Sequence, residues 1–510
     1  MPVTAPFVSR LLACAAFVVA ASPAAAETLA EAVAQAYQSN PTIQANRAQL
    51  RALNETYVQA RSQFGPRLSA SVTASYEHFD DGTHRLSGTS DSQSLSLSQP
   101  IFSGGRYGAG LQAAEADVRA GRERLRQAEA NLIQQVIQAY TAVRRDEQTV
   151  VAAREAVTAL KAQLEETQAK VDVRENTRTD LAQAQARLAS SEAQVYSLEA
   201  QLANSRAQYL AVVGHNPTDL EPEPDLPGLP EDIDAAFDAA EAGNNTLLAA
   251  KYAELGSRAR VTAARTQYAP SVNLQVQGAR SPQALYLPDP YSSSVVAQAT
   301  VTQPLFTAGQ TGSAVRRALE TNNADRLTID STRRNVVQTV SQQWSLLAAS
   351  RHAMVADQVN VSSSETAFFG MREEERFGLR STIEVLNAQQ ELTAAQISLL
   401  RDRYSEYVAR AGLLNVMGRL TVDLLAPGVQ PYDMEADFDR VKNKGALPTE
   451  LIPRALDSLV TGPADKPLPA RETTVPDRQL DLPPPPPPAA EAPPLRSLSD
   501  LMKETQREEP

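Results

Sequence analysis

Gln99-Pro100-Ile101-Phe102-Ser103-Gly104-Gly105 recurs, 204 residues further on, as Gln303-Pro304-Leu305-Phe306-Thr307-Ala308-Gly309. The same offset links other landmarks. Phe64-Gly65-Pro66 matches Tyr268-Ala269-Pro270, Tyr140 matches Trp344, Asp180-Leu181 matches Glu384-Val385, Ala184-Gln185 matches Ala388-Gln389, and Gly214 matches Gly418. One offset held over so many positions marks an internal duplication. Two long units of mixed strand and helix character fit no short-period solenoid.

Upstream of each landmark the strands are legible. Leu68, Ala70, Val72, Ala74 and Tyr76 alternate with Ser69, Ser71, Thr73 and Ser75, a strict period of two. Leu95 and Leu97 alternate with Ser94, Ser96 and Ser98. In the second unit Val272, Leu274 and Val276 oppose Asn273, Gln275 and Gln277, while Val295, Ala297, Ala299 and Val301 oppose Val296, Gln298, Thr300 and Thr302. These patterns predict strands over about 66–78, 93–102, 270–280 and 293–306. The polar segments between paired strands, His78 to Asp91 and Ser281 to Ser293, read as hairpin loops, the second because of Pro282, Pro288 and Pro290. Pro66, Pro100, Pro270 and Pro304 mark the junctions between strand and helix. Alternation of this kind suits a membrane barrel with lipid outside and water inside, and equally a soluble sandwich.

Downstream, the helices decide between the two. No proline occurs from Ile101 to Asn216 or from Leu305 to Ala426, and both stretches are dense in Ala, Gln, Glu, Arg and Leu. Apolar residues recur at steps of three and four: Leu125, Ala128, Leu132, Val136, Ala139 and Val143, with a second seam of Ile133, Ile137 and Tyr140 beside it. Val337, Val340, Trp344 and Leu347 repeat the pattern. A helix from about Gly104 to Asp172 would extend ~100 Å. Each rod turns back near Arg174 to Asp180 or at Phe377-Gly378-Leu379-Arg380-Ser381 and returns to Gly214 or Gly418, giving helical hairpins over about 104–213 and 309–417. Helical patterns over about 28–62 and 232–266 precede the strands. Four membrane strands cannot close a barrel, and open sheet edges cannot face lipid, so the chain must assemble with copies of itself.

The remaining sequence bounds the compartment. Arg10, the uncharged run Leu11 to Ala26 and the small residues Ala24-Ala25-Ala26 before Glu27 have the order of a secretory signal, residues 1–26. Leu11-Leu12-Ala13-Cys14 offers a lipoprotein site as the alternative, against which Arg10 interrupts the apolar stretch. Cys14 is the only cysteine. Cleavage after Ala26 removes Arg10 alone among charged residues and takes the formal charge from −12 to −13, which disfavours nucleic acid. No later run is apolar enough for a membrane helix. His78, His84, His215 and His352 show no metal-ligand spacing. Gly104, Gly105, Gly108 and Gly110 lack the context of a nucleotide loop. No catalytic residue, metal or cofactor is expected, and the chain is not read as an enzyme.

Over residues 27 to 426 the chain resembles the TolC family of outer-membrane efflux and secretion channels. The resemblance rests on the duplication, on the two strand ends quoted first, and on Thr177-Arg178-Thr179-Asp180-Leu181 with Gly378-Leu379-Arg380-Ser381-Thr382-Ile383-Glu384-Val385-Leu386. It implies a mixed, mostly α fold: a homotrimer whose twelve-stranded β-barrel, four strands from each chain, sits in outer-membrane lipid and continues as a periplasmic α-helical barrel. It further implies an exit duct of a tripartite export system. A periplasmic adaptor would couple that duct to an inner-membrane ABC or proton-driven transporter, in type I secretion or multidrug efflux. A secreted coiled-coil protein or a periplasmic adaptor is the alternative reading of the rods.

Carried over by position, the resemblance assigns a periplasmic gate to the hairpin ends. Asp180 matches a linking acid, Arg380 its partner, and Glu384 the first acid of a ring at the constriction. Asn387 stands where some members have a second ring acid, Arg174 replaces the glycine of the first turn, and Glu375 occupies a position that can be tyrosine. Solvation of helix turns is the competing role for these charges. The domain reading is 27–222 and 223–430 for the two repeats and 431–510 for a disordered tail, where 17 of the 33 prolines lie from Pro427 onward, including Pro483 to Pro488.

Overall fold

Asn40 and Asn244 break the helices that open the two repeats. Each asparagine caps a new helix through its side-chain oxygen, to the Thr42 amide at 2.9 Å and the Leu247 amide at 2.9 Å, and donates its amide to Val212 or Val416 carbonyl oxygen. The computed structural model, which describes residues 26–284 and 287–462, therefore has α1 (Leu29–Ser39) and α2 (Pro41–Ser62) where one helix is predicted. Likewise the second repeat has α5 (Ile233–Gly243) and α6 (Asn245–Arg265). The signal segment lies outside the described residues.

Four strands, β1 (Arg67–Asp80), β2 (Arg85–Phe102), β3 (Ser271–Ala284) and β4 (Leu287–Thr302), form one antiparallel sheet in the order β1-β2-β3-β4. The register separates two chemistries. Leu68 pairs with Leu97, Leu97 with Val276 and Val276 with Ala297 on one face. The other face carries a hydrogen-bonded polar ladder: Ser71 with Ser94 at 2.8 Å, Ser98 with Asn273, and Gln298 to Gln275 at 3.2 Å. The hairpin loops are much shorter than expected from His78–Asp91 and Ser281–Ser293. The Ser/Thr-rich run 85–92 has no apolar face to betray a strand, yet pairs with β1 residue by residue. Pro288 and Pro290 lie in β4 between the paired residues Leu287 and Tyr291, at a register shift, where a missing N–H breaks no ladder with β3.

One of the four proline junctions needs correction. Pro66 and Pro270 stand just before β1 and β3, and Pro304 lies between the end of β4 and the helix that follows, but Pro100 lies inside β2, opposite Asn273 beside a register shift. A hydrogen bond at this junction recurs in both repeats: Gln99 Nε2 donates to Phe64 oxygen at 2.8 Å, and Gln303 Nε2 to Tyr268 oxygen at 2.9 Å.

The rods are α3 (Arg106–Asp172) with α4 (Arg178–Val213), and α7 (Gln310–Arg376) with α8 (Thr382–Val416). α3 and α7 have 67 residues each, about 100 Å. The predicted seams are buried: Leu125, Leu132, Val136, Ala139, Val143, Ile133, Ile137 and Tyr140 on α3, and Val340, Trp344 and Leu347 on α7. The main core sits mid-rod, where α1, α5 and α9 (Val422–Leu425) pack against α3, α7 and α8. There the Tyr140 hydroxyl bonds the carbonyl oxygens of Glu27 and Glu221, both at 2.8 Å. Among the described residues no helix is long and apolar enough to cross a membrane.

The expected tail 431–510 is structured through residue 462. α10 (Met434–Val441) sets Phe438 edge-to-face against Tyr57, and α11 (Leu451–Thr461) docks on the start of α3. Asp457 explains the docking. Its carboxylate is wholly buried and accepts from the Ser103 amide at 2.9 Å, the Ser103 hydroxyl, and the Gly105 and Gly108 amides at 3.3 Å. Gly105, the N-cap of α3, has no side chain of its own to do this. Residues 463–510, with the run Pro483 to Pro488, lie outside the described residues.

Candidate functional site

Both rods reverse through one left-handed residue. Arg174, at φ 65°, stands where the second turn has Gly378, at φ 73°. The Glu175 amide bonds Lys170 oxygen at 2.8 Å, and the Leu379 amide bonds Glu374 oxygen at 2.9 Å, closing the helix ends in the same way. Each returning helix then starts from an acid that reaches back to its cap. Asp180 accepts from the Thr177 amide at 3.0 Å and hydroxyl at 2.7 Å, and Glu384 from the Ser381 amide and hydroxyl, both at 2.9 Å.

Arg380 does not meet Asp180 within the protomer. Its guanidinium joins Glu374 at 2.7 Å and Glu384 at 3.0 Å, both in its own hairpin. Hydrogen bonds from the Ser381 amide and hydroxyl, and then from Arg380, hold the Glu384 carboxyl below the usual range, and the two acids raise the Arg380 pKa. The expected link and the expected ring acid are thus occupied locally in this chain.

What joins the two hairpins is Glu375. This buried carboxylate on α7 accepts from Gln163 Nε2 at 3.2 Å on α3, from Thr382 Oγ1 at 3.0 Å on α8, and pairs with Lys170 Nζ at 3.4 Å on α3. Burial pulls the Lys170 pKa down, but the Glu166 and Glu375 carboxylates outweigh it and leave it raised. A second tie crosses between the returning helices: Arg187 on α4 donates to Gln390 at 2.6 Å and Asn387 at 3.0 Å on α8. Asn387 is therefore an acceptor for the first hairpin. Sequence reasoning noted Glu375 only as a departure from pattern and missed Gln163, Lys170 and Arg187. A run of three acids, Glu373-Glu374-Glu375, in the last turn of a helix, where the macrodipole disfavours them, is the signal that was there.

A model of the outer membrane efflux protein family matches residues 32–215 and again 236–419, stretches that lie 204 residues apart. The chain belongs to the outer membrane efflux protein family. Outer membrane efflux protein BepC of Brucella suis biovar 1 (strain 1330) is 30% identical over 423 residues, 82% of this chain and 92% of that protein. Outer membrane protein TolC of Escherichia coli (strain K12) is 24% identical over 79% of this chain and 84% of its own length. Among solved structures, the Campylobacter jejuni CmeC outer membrane channel superposes with a TM-score of 0.69 at 17% identity, covering 81% of this chain and 89% of that one, which supports the fold. The chain is an outer-membrane channel protein with a periplasmic helical extension, and its family is one of passive channels rather than enzymes.

Proposed function

We propose that three copies join sheet to sheet into a twelve-stranded barrel whose lumen continues through the helical rods, forming the exit duct of a tripartite export system. The observation that carries this reading is the open sheet. β1 and β4 are both edges, and their apolar side chains stand in solvent, Val72 at 73% and Val295 at 81% exposure. An exposed apolar face suits lipid, whereas unpaired edges do not, and closure removes both edges at once. Similarity to family members in such systems supports a periplasmic adaptor and an inner-membrane transporter as partners.

In this reading the hairpin ends close the periplasmic mouth. Asp180, Arg380, Glu384 and Asn387 form the gate region, with Asp180 meeting Arg380 only between copies. The test is single-channel conductance of the purified protein in planar bilayers. Arg380→Ser and Asp180→Ala should each open the mouth and raise conductance, and the double change should add little to either. Parental conductance in both single variants at equal salt would remove Asp180 and Arg380 from the gate.

A further inference from the structure

Residues 303–306 repeat the sequence of 99–102, yet only the first copy is strand: β2 runs to Phe102 because β3 pairs with it, whereas β4 stops at Thr302. Leu305 and Phe306 are left 93% and 88% exposed. Just beyond them Ala308 is held at φ 47°, one of two non-glycine residues at positive φ among those described, where the first repeat has Gly104 at φ 72°. A Cβ on Gly104 would stand 2.6 Å from the Ala269 Cβ, so this close approach admits one methyl and not two.

We infer that the seam between neighbouring copies reproduces the seam between the two repeats, and that Ala308 of one copy packs on Gly65 of the next. In a closed ring each second repeat must meet a first repeat as β2 meets β3 within the chain. Moving the first member of each contact forward by 204 and the second back by 204 gives the partners. Ala269 becomes Gly65, so the pair Gly104 with Ala269 turns into Ala308 with Gly65, and the single methyl changes sides. The substitution that strains the backbone at 308 is thus matched by loss of the side chain it would strike.

The same shift converts Leu95 opposite Gly278 into Ala299 opposite Ala74, and Phe102 opposite Val272 into Phe306 opposite Leu68. It therefore covers Phe306 with Leu68, itself 67% exposed, and supplies the missing ladder for 303–306. The C-terminal segment stands at this seam too, since a Cβ on Gly65 would lie 3.3 Å from Glu450 Oε1, just before α11.

The inference rests on the trimer reading, and two experiments on the full-length outer-membrane protein separate them. Ala74→Cys with Ala299→Cys, made in a Cys14→Ala background, should oxidise to disulfide-linked dimers and trimers. Ala74→Cys with Gln298→Cys should not, because residue 298 faces the other side of the sheet. A trimer by native mass with no such ladder overturns the seam while leaving the trimer standing, and a monomer overturns both. In the second experiment Gly65→Ala should cost detergent-resistant trimer, Ala308→Gly should cost none, and the double exchange should restore it by recreating the pairing of the first seam. Rescue by Ala308→Gly separates this contact from a clash of the added methyl with Glu450 of its own chain, and a Gly65→Ala trimer as resistant as the parent overturns the pairing.

Discussion

Replacing Asp457 by Ala should unlock the start of α3 while leaving the rods intact. The buried carboxylate receives the Ser103 amide at 2.9 Å, the Ser103 hydroxyl, and the Gly105 and Gly108 amides at 3.3 Å, and Gly105 supplies no cap of its own. Loss of the cap costs about 1–2 kcal/mol, and stranding the buried Ser103 donors adds about 1–3 kcal/mol, so about 3 kcal/mol is expected in all. At 1.36 kcal/mol per decade this is roughly a hundredfold faster hydrogen exchange for amides 103–111, measured by mass spectrometry on the purified protein. Asp457→Asn, which keeps one acceptor oxygen, should give roughly tenfold. Truncation after Ala446 should match Asp457→Ala, contrary to the disordered tail that proline content suggests. Exchange within about threefold of the parent in both Asp457→Ala and the truncation would refute the capping argument.

Arg174→Gly should stabilise the first turn by about 1 kcal/mol, because glycine takes φ 65° without the Cβ penalty, and slower exchange of amides 175 and 176 measures it. Glu375→Ala should strand Gln163, leave Lys170 with Glu166 alone and part α7 from α3. It should raise single-channel conductance more than Glu384→Ala, which should chiefly weaken cation preference. Glu384 has its pKa lowered in the folded chain, so its hold on Ser381 and Arg380 is complete above the ordinary value of 4.5 and is lost only as pH falls through the lower folded value. Conductance should therefore be insensitive to this group between pH 8 and 5, and carboxyl NMR or infrared titration should find it below 4.5.

Much of the architecture was legible because it is periodic. Strict alternation around Leu68 to Tyr76 and a proline-free seam from Leu125 to Val143 each admit one secondary structure, strand and helix. The strand ends were not legible, since 85–92 is polar on both faces and only pairing with β1 makes it a strand. α11 was hidden by its proline-rich surroundings, and its role depends on one aspartate reaching a helix start about 350 residues earlier in the chain. At the hairpins, the turn chemistry of Thr177 with Asp180 and Ser381 with Glu384 could be read locally. Which charge meets which could not. Glu375 finds Gln163 and Lys170 more than two hundred residues away, and Arg380 is satisfied by its own neighbours rather than by Asp180.

The subunit count of the intact outer-membrane protein tests the central claim most directly, because a sheet of four strands with two open edges requires copies to close it. Native mass spectrometry of the detergent-released protein should give three times the mass of the mature chain, with no free monomer at equilibrium. A monodisperse monomer, embedded in the outer membrane and still conducting, would contradict the account.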